Sequence, residues 1–417
     1  MNRGIVGSVM ALGLLTGCSH DRPVDPQGRH TVIWLYPVDV GTKAMTEKLV
    51  AQFEMENPDI HIDVRAVPGS QYQTKLKTLV AAGEPPDVFV CGDVFFAYLK
   101  PFLSDLTDLA RRDAKEIDLD DFYPAVQKAM QPGGHIYFMP QWFNVSLLYY
   151  NRRIFDASHE PYPRADWTWS DYAGAAKRLT KNGVWGSTVT TGWWGEWLTL
   201  VHGAGGDLFD PAITHATLDS PAGIQGLTFY RDTIKDGFAP PPGMGPATGF
   251  ASDKVAMDYG GHVGLWATYR QIPTLDWEIE ALPKGPSGRR GGEISLTALG
   301  IAKATPERES AWRFLKFMSS KESIRAHVDR GYVAIRRSVA AEHRDANLPP
   351  RNRAAVEIAL NSAEPIPSSK DFVEIALDLV QPEIDRMLTE DVSPAEVTKK
   401  ATEAANAFLR ATNGAAK

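Results

Sequence analysis

The chain has 417 residues, a formal net charge of −7, an apolar share of 43% and a charged share of 23%. This length is comfortable for two globular domains, and the composition is ordinary for a soluble protein. The arginines form short scattered pairs instead of one basic cluster. Nucleic acid is therefore excluded as a partner, because binding its phosphates needs a basic surface.

The N-terminus follows the plan of a bacterial export signal. Arg3 gives a positive start, and Ile5 to Leu15 form an apolar run that is too short to span a bilayer. The following Leu15-Thr16-Gly17-Cys18 resembles the lipobox of bacterial lipoproteins. This resemblance implies cleavage before Cys18 and a lipid on its sulfur. We expect a signal peptide over residues 1–17 and a lipidated cysteine with a polar tether over 18–29. The alternative is an ordinary signal with a chance cysteine.

Cys91 is the other of the two cysteines and lies in the apolar run Val88 to Cys91. If Cys18 carries a lipid, no disulfide can form. We expect Cys91 to be a small buried apolar residue, because no basic neighbour is present to lower the pKa of a reactive thiol.

The first half of the chain alternates between predicted strands and helices. The predicted strands are 32–36, 60–64 and 87–91, and the predicted helices carry apolar residues at helical spacing from Met45 to Phe53 and from Tyr72 to Val80. Such alternation predicts a parallel sheet with helices on both sides.

A second α/β region begins near His135. Its predicted strands are 145–150 and 184–189, and its predicted helices begin after the caps Thr168, with Asp171 three residues on, and Ser220. From about residue 371 to 410 the pattern is almost wholly helical, with interruptions at Pro382 and Pro394.

Seven segments together resemble the extracellular solute-binding proteins of bacterial ABC importers, in the cluster that includes maltose-binding and multiple-sugar-binding proteins. Each segment is weak alone, but their order matches that family over nearly the whole mature chain. They are FEMENPDIHI (53–62), GEPPDVFVCGDVFFAYL (83–99), GHIYFMPQWFNVSLLYYNRRIF (134–155), TWSDYAGAAKRLT (168–180), FASDKVAM (250–257), LPKGPSGRRGG (282–292) and SAWRFLKFMSSKESIRAHVDRGYVAIR (310–336).

The resemblance implies an α/β, two-lobed periplasmic-binding-protein fold (a Venus flytrap), in which each lobe is a mostly parallel sheet flanked by helices. Lobe one is expected at residues 30–132 plus 297–332, and lobe two at 133–296 plus 333–417. The crossings between lobes are then expected near Gly133-Gly134, Ser295 to Leu299 and Gly331 to Ile335.

The function implied is that of a substrate-binding protein that captures a sugar, such as a disaccharide or an oligosaccharide, by closure of two lobes. Its partners would be the sugar, a membrane permease and a separate ATPase, since the chain has no phosphate-binding loop of the ATPase type. We expect a monomer in the cell envelope, held by its lipid and facing the periplasm or the exterior, without a cofactor or metal.

Some candidate ligand contacts follow from position alone. Ligands bind beyond the carboxyl ends of parallel strands, which selects Tyr36 and Asp39 after the first strand and Asp93 after the third. Both carboxylates could instead cap helices. His262 lies in a glycine-rich turn, where a ligand can approach the backbone.

The remaining candidates depend on the resemblance. A sugar presents an apolar face to aromatic rings and hydroxyls to polar groups, so its pocket should mix the two. The tryptophans could alternatively belong to the core, and Trp197 has helical spacing with Leu200 and Val201. Glu293 and Tyr332 fall at expected crossings. The additional candidates are Tyr72, Trp142, Asn144, Trp193, Trp194, Trp197, Trp266, Glu293, Tyr332 and, for a phosphate, Arg336.

Two alternative functions remain open on the sequence. The same fold could bind a glycerophosphodiester or another polyol phosphate, for which Arg336 is a candidate contact. A secreted glycoside hydrolase would need two carboxylates about 5–10 Å apart. The 51 acidic residues are enough to supply such a pair, but no segment resembles a hydrolase signature. We therefore expect a binding protein and no enzyme.

Overall fold

The computed structural model of the protein describes residues 24–38, 43–188, 192–243, 249–342 and 349–414. The predicted signal peptide, Cys18 and Asp39 lie outside the described residues. Asp93 is described by its backbone alone.

The N-terminal part of the chain forms the strands and helices that its apolar pattern predicts. In chain order they are β1 (His30–Val38), α1 (Lys43–Glu56), β2 (Ile60–Pro68), α2 (Gly69–Ala81), β3 (Val88–Val90), α3 (Asp93–Leu99), α4 (Thr107–Arg112), α5 (Ala114–Ile117) and α6 (Pro124–Ala129).

The middle of the chain begins with a long strand and ends with another. Its elements are β4 (Phe138–Asn151), α7 (Arg152–Ser158), α8 (Trp169–Leu179), α9 (Trp194–Gly203), α10 (Pro221–Lys235), β5 (Met257–His262), α11 (Trp266–Tyr269), β6 (Trp277–Glu280) and β7 (Glu293–Ile301).

The C-terminal part is mainly helical. It contains α12 (Arg308–Met318), α13 (Lys321–Asp329), α14 (Arg337–Glu342), α15 (Ala354–Asn361), β8 (Glu364–Pro365), α16 (Phe372–Glu374), a π-helical stretch (Ile375–Val380), α17 (Gln381–Thr389) and α18 (Pro394–Gly414). Of the described helices, none has the length and apolar character needed to cross a bilayer.

The strands form one eight-stranded mixed sheet with the order β2-β1-β3-β7-β4-β5, in which β6 also pairs with β4 and β8 with β7. β1 pairs in parallel with β2 and β3, as strand–helix alternation predicts. The pairs that β4 makes with β5, β6 and β7 are antiparallel. This difference arises because β4 and β7 run between the lobes in opposite directions.

The long strands β4 and β7 are the first two crossings between the lobes. Phe138 to Val145 of β4 pair with β7, and Leu148 to Asn151 pair with β6. At its other end β7 pairs with β3 of lobe one. The two lobes are therefore joined by a pair of hydrogen-bonded strands.

The apolar side chains form two buried clusters. The first contains the lobe-one core, where Trp34 packs edge-on against Phe314 with ring centroids 5.0 Å apart, and extends over one face of the lobe-two strands. The second covers the opposite face of those strands and includes α8, α9 and the C-terminal helices. Cys91 is fully buried in the first cluster, and burial raises the pKa of its thiol well above the ordinary value.

The helix that follows Gly331 to Ile335 contacts lobe one, whereas residues from Arg351 onward contact lobe two. α14 belongs to lobe one, because Ser338 donates to Asp121 and Arg325 pairs with Glu342 of this helix. Residues after Pro349 contact lobe two, where the backbone amide of Arg351 donates to Glu278.

In lobe two, the predicted helix starts are confirmed, but one predicted strand does not form. The capping box of Thr168 and Asp171 opens α8 as predicted, and Ser220 caps α10. No strand forms over residues 184–188, which are the described part of the predicted strand 184–189. Trp185 makes only an isolated bridge to Val255, because the chain turns away to pack on α8 at Gly186.

Candidate functional site

Three side chains from separate elements of lobe two meet at the end of the sheet that faces the crossing strands. Trp193 precedes α9, His262 ends β5 and Glu293 begins β7. The imidazole of His262 meets the Trp193 indole edge-on, with centroids 4.5 Å apart, and its Nε2 lies 3.4 Å from Oε1 of Glu293. An aromatic surface, an imidazole and a carboxylate thus share one place beside the interlobe junction.

The start of α9 holds the aromatic part of the site. Trp193 is its N-cap residue in an extended conformation and is half-buried. Gly195 in the first turn leaves room for the ring, since a Cβ there would overlap the Trp193 indole. The next ring, Trp194, packs edge-on against Phe372 with centroids 5.4 Å apart. The helix start therefore presents two indoles and a phenyl ring.

Several polar atoms of the site have no protein hydrogen-bond partner among the described residues. They are Nε2 of His262, Oε2 of Glu293, Oγ of Ser146 and Nε1 of Trp194, all of them buried. Ser146 pairs with His262 across β4 and β5. Buried polar groups ordinarily have partners, so such a cluster is typical of a site that completes its hydrogen bonds with water or a bound molecule.

The backbone behind the site is fixed by buried hydrogen bonds. Tyr149 of β4 donates from its hydroxyl to the carbonyl of His262, at 2.7 Å. Asp258 of β5 accepts from the Thr188 hydroxyl at 2.9 Å and from the Tyr269 hydroxyl at 3.3 Å. Burial raises the pKa of the Asp258 carboxyl above its ordinary value. These bonds tie the end of β5 to the segment that leads towards α9.

On the lobe-one side, the carboxyl ends of β1 and β3 lie toward the junction with β7. Gly92, between β3 and α3, approaches the Leu296 carbonyl so closely that a Cβ would overlap it. This contact brings the first residue of α3, Asp93, next to a crossing strand.

Trp142 and Tyr332 lie together at the lobe junction, and Asn144 lies nearby on β4. The half-buried Trp142 ring packs against Tyr332 and His327, with centroids 5.1 and 5.3 Å away. Asn144 is also half-buried, and its Oδ1 would lie 3.2 Å from a Cβ placed on Gly264. All three predicted residues lie near the crossing, where Trp142 and Tyr332 form one group of rings with His327.

Tyr36 and Tyr72 are core residues of lobe one instead of exposed cleft residues. Tyr36 is buried and packs on Trp34 at 4.8 Å. The Tyr72 hydroxyl accepts a hydrogen bond from the Val90 amide at 2.7 Å, and burial raises the pKa of this phenol well above the ordinary value. Tyr72 thus holds α2 to the end of β3, which is a structural role.

Trp197, Trp266 and Arg336 are likewise buried against other parts of the protein. Trp197 is fully buried in the second cluster and donates to Gln381 at 3.1 Å, because its helical spacing places it on the core face of α9. Trp266 is buried beneath Arg353, whose guanidinium lies 4.7 Å from its ring centroid. Arg336 is buried in lobe one and donates to the carbonyls of Ser319 and Ile117.

Phe372 and Ser146 belong to the site but escaped the sequence analysis. Ser146 lies within an apolar run, and nothing in its spacing separates it from the core residues around it. Phe372 follows the third crossing and meets Trp194 only because α16 returns to α9.

Two lobes joined by crossing strands, with a polar and aromatic site beside the junction, define a two-lobed ligand-binding protein. The family model described as bacterial extracellular solute-binding protein matches residues 39–324. The chain belongs to this family. It is a family of binding proteins and not of enzymes, so the glycoside hydrolase alternative is set aside.

Relatives of known structure or name agree with this assignment. An ABC substrate-binding protein from Listeria monocytogenes in complex with cycloalternan is 27% identical, with a TM-score of 0.80 over 91% of this chain and 99% of that one. The multiple sugar-binding protein of Streptococcus mutans is 24% identical over 78% of this chain and 79% of its own length. UgpB from Mycobacterium tuberculosis in complex with glycerophosphocholine is 19% identical over 92% of this chain and 100% of that one, and its TM-score of 0.78 shows the fold alone.

Proposed function

We propose that this protein is the substrate-binding component of an ABC importer for a carbohydrate, held at the cell envelope by a lipid on Cys18. The observation that carries the proposal is the meeting of Trp193, His262 and Glu293, with unpartnered polar atoms, beside the crossing strands. An indole face suits the apolar face of a pyranose, and carboxylate and imidazole groups suit its hydroxyls.

Capture would occur by closure of the two lobes on the ligand. A ligand that contacts both lobes stabilises the closed state, because it binds that state more tightly than the open one. The closed protein would then dock on a membrane permease, with a separate ATPase supplying the energy. Delivery requires release, so an affinity of about micromolar, roughly −8 kcal/mol, suits this role.

A glycerophosphodiester is the second candidate ligand, supported by the shared fold with UgpB. The charge of the site favours the neutral sugar. Arg336, the residue considered for a phosphate, is buried in lobe one with its guanidinium bonded to backbone carbonyls. Among the described residues around Trp193, the polar groups are His262, Glu293 and Ser146, and an acidic side chain is unfavourable beside a phosphate.

A thermal-shift panel tests the proposal directly. The purified protein is heated with mono-, di- and oligosaccharides and with glycerophosphocholine, and the remaining sugar is quantified afterwards. We expect a raised Tm with one carbohydrate class and no loss of sugar, because a ligand that binds the native state stabilises it. A shift with glycerophosphocholine alone would select the second candidate, and consumption of sugar would contradict a binding role.

A further inference from the structure

A basic surface lies on lobe one away from the candidate site. We call it the basic edge and define it by Lys100, Phe102, Lys303 and Arg308. The three cations line an open cavity of about 560 Å³, together with Asp105 and Tyr137. All three are exposed, in a chain whose formal net charge is −7.

The positive charges of the basic edge are not neutralised within the described part of the chain. Lys100, Lys303 and Arg308 form no ion pair there, and Arg308 donates only to the backbone carbonyl of Asp105, at 2.9 Å. The Asp105 carboxylate is occupied by Thr107 at 2.9 Å and by His135 at 2.7 Å. The cavity therefore presents three cations without an ion-pair partner and one carboxylate, that of Asp105.

Nearby carboxylates also have partners of their own. Glu307 lies 3.1 Å from His30, and Glu309 pairs with Arg112 at 2.7 Å. An external anion would thus meet the cations without displacing an internal ion pair. This arrangement favours binding of a negatively charged surface or group.

An exposed aromatic ring stands beside the cations. Phe102 is 37% exposed, which makes it one of the few large apolar side chains open to solvent in the described residues. Its carbonyl accepts from the Lys303 amide at 2.7 Å, so the two residues are neighbours in the backbone. Lys100 lies 5.6 Å from the ring centroid of Tyr137. Aromatic rings among basic residues are typical of surfaces that lie on anionic membranes.

The basic edge and the beginning of the fold share one end of the lobe-one sheet. His30 starts β1 and contacts Glu307, which precedes Arg308 of the basic edge. β7 ends at Ile301, opposite Val88 at the start of β3. The cations therefore lie at the amino ends of the parallel strands, whereas the candidate site faces their carboxyl ends.

The proposed anchor would keep this end close to a bilayer. Val24, the first described residue, follows Cys18 by six positions. A chain of this length spans at most about 20 Å when fully extended. A lipid on Cys18 thus confines the start of the fold to the neighbourhood of the lipid headgroups.

We propose that, between docking events on the permease, the basic edge rests on the anionic phospholipid surface of the membrane that holds the anchor, with the ligand-binding cleft directed away from it. This inference rests on the proposed lipid anchor. Each cation near such a surface strengthens attraction about fivefold, and the attraction falls at high ionic strength. The contact would orient the cleft toward the solution from which the solute arrives.

Lysine footprinting of the full chain tests the orientation. The protein is produced with its own leader, reconstituted into vesicles of phosphatidylcholine or of an equal mixture with phosphatidylglycerol, and treated with an amine-reactive ester. Mass spectrometry then gives the modification rate of each lysine. We expect Lys100 and Lys303 to react at least about threefold more slowly on the anionic vesicles, because a surface potential near −30 mV retains their protons. Lys254 and Lys399, exposed on lobe two, are the internal controls.

Equal rates for Lys100 and Lys303 on both vesicles would overturn the proposal. The proposal would also be overturned if inorganic phosphate, added to phosphatidylcholine vesicles, protected Lys100 and Lys303 as strongly as the anionic vesicles do. The cavity would then bind a free anion and not a membrane surface. Failure of the anchor has a different signature, because the protein would not float with phosphatidylcholine vesicles. In that case the basic edge is tested by flotation with anionic vesicles. The double variant Lys100→Gln with Lys303→Gln should bind these vesicles about 25-fold more weakly than the parent protein. The control pair Lys254→Gln with Lys399→Gln should leave this binding unchanged, and equal flotation of both double variants would refute the basic edge.

Discussion

The planes of the Trp193 indole and the His262 imidazole meet at 85°, with their centroids 4.5 Å apart. The two rings therefore do not stack on each other. Because His262 also lies 3.4 Å from Glu293, the orientation of one ring is coupled to the position of a carboxylate. The relationship makes Trp193 the residue on which the candidate site can be tested most directly.

We expect Trp193→Ala to weaken binding of the carbohydrate found in the thermal-shift panel by at least tenfold, about 1.4 kcal/mol. The variant removes the aromatic face while leaving His262 and Glu293 in place. Trp193→Phe should lose less affinity than Trp193→Ala, since a smaller ring still offers a flat surface. Isothermal titration calorimetry measures both.

Phe102→Ala is the matched control, because it removes an exposed ring outside the site. Its affinity for the sugar should equal that of the parent protein. If Trp193→Ala also binds with unchanged affinity, Trp193 does not contact the ligand.

Gly195→Ala should weaken sugar binding severalfold without lowering Tm. A Cβ at position 195 would overlap the Trp193 indole, which is a movable side chain, so the ring must shift. The helix itself should become more stable, because alanine is more favourable than glycine in a helix by about 1 kcal/mol. Calorimetry and thermal unfolding together separate the two effects.

Gly174→Ala provides the comparison within α8. Its Cβ would meet only the end of the Arg178 side chain, at 3.2 Å. This variant should gain stability and keep its affinity. Unchanged affinity in Gly195→Ala would mean that the ring position is unimportant for binding.

Local features of the sequence predict much of the fold. The Thr168 and Asp171 capping box and the Ser220 cap fix helix starts, because each signal and its hydrogen bonds lie within one turn. The site is harder to predict because its contacts join distant segments. The helical spacing of Trp197 is compatible with either a core or a ligand-contacting role. Tertiary packing places Trp197 on the core face of its helix and leaves Trp193 half-buried.

The lobe-one contacts of the residues after Gly331 to Ile335 could not be derived from the sequence for a related reason. Gly331 to Ile335 contains a glycine and an apolar run, which resembles a hinge. The next residue, Arg336, is buried in lobe one and donates to the carbonyls of Ile117 and Ser319. No local pattern reveals that an arginine will be buried on distant backbone carbonyls.

Arg336→Lys should lower stability by about 2 kcal/mol and leave sugar affinity unchanged. The planar guanidinium donates hydrogen bonds to several carbonyls and lies 4.1 Å from the Phe122 ring centroid. A lysine ammonium cannot make all of these contacts at once. Denaturant unfolding and calorimetry measure the two quantities. Arg337→Lys, at the exposed neighbouring position, should change stability by no more than about 0.5 kcal/mol. If Arg336→Lys lost affinity for the sugar while keeping the stability of the parent protein, Arg336 would be a ligand-contacting residue.

His327 should make the stability of the protein depend on pH. It is 2% exposed between Trp142 and Tyr332, and its Nδ1 donates to the Ser323 carbonyl at 2.7 Å. Burial lowers the pKa of His327 from 6.5 to about 4. Between these values the unfolded chain binds a proton that the folded protein does not. The neutral imidazole therefore contributes stability above pH 6.5 that is lost as the pH falls towards 4.

The full loss corresponds to about 3 kcal/mol, since each pKa unit is worth about 1.4 kcal/mol. His327→Asn keeps a donor near the position of Nδ1 and cannot titrate, so it should lack this component. Denaturant unfolding of both proteins at pH 7 and pH 4.5 measures it, and comparing the two proteins cancels the titration of carboxylates elsewhere. We expect the parent to lose its advantage over the variant at the lower pH. A stability difference that stays constant between the two conditions would mean that His327 remains accessible to protons in the folded state, and that the ring cluster with Trp142 and Tyr332 opens readily.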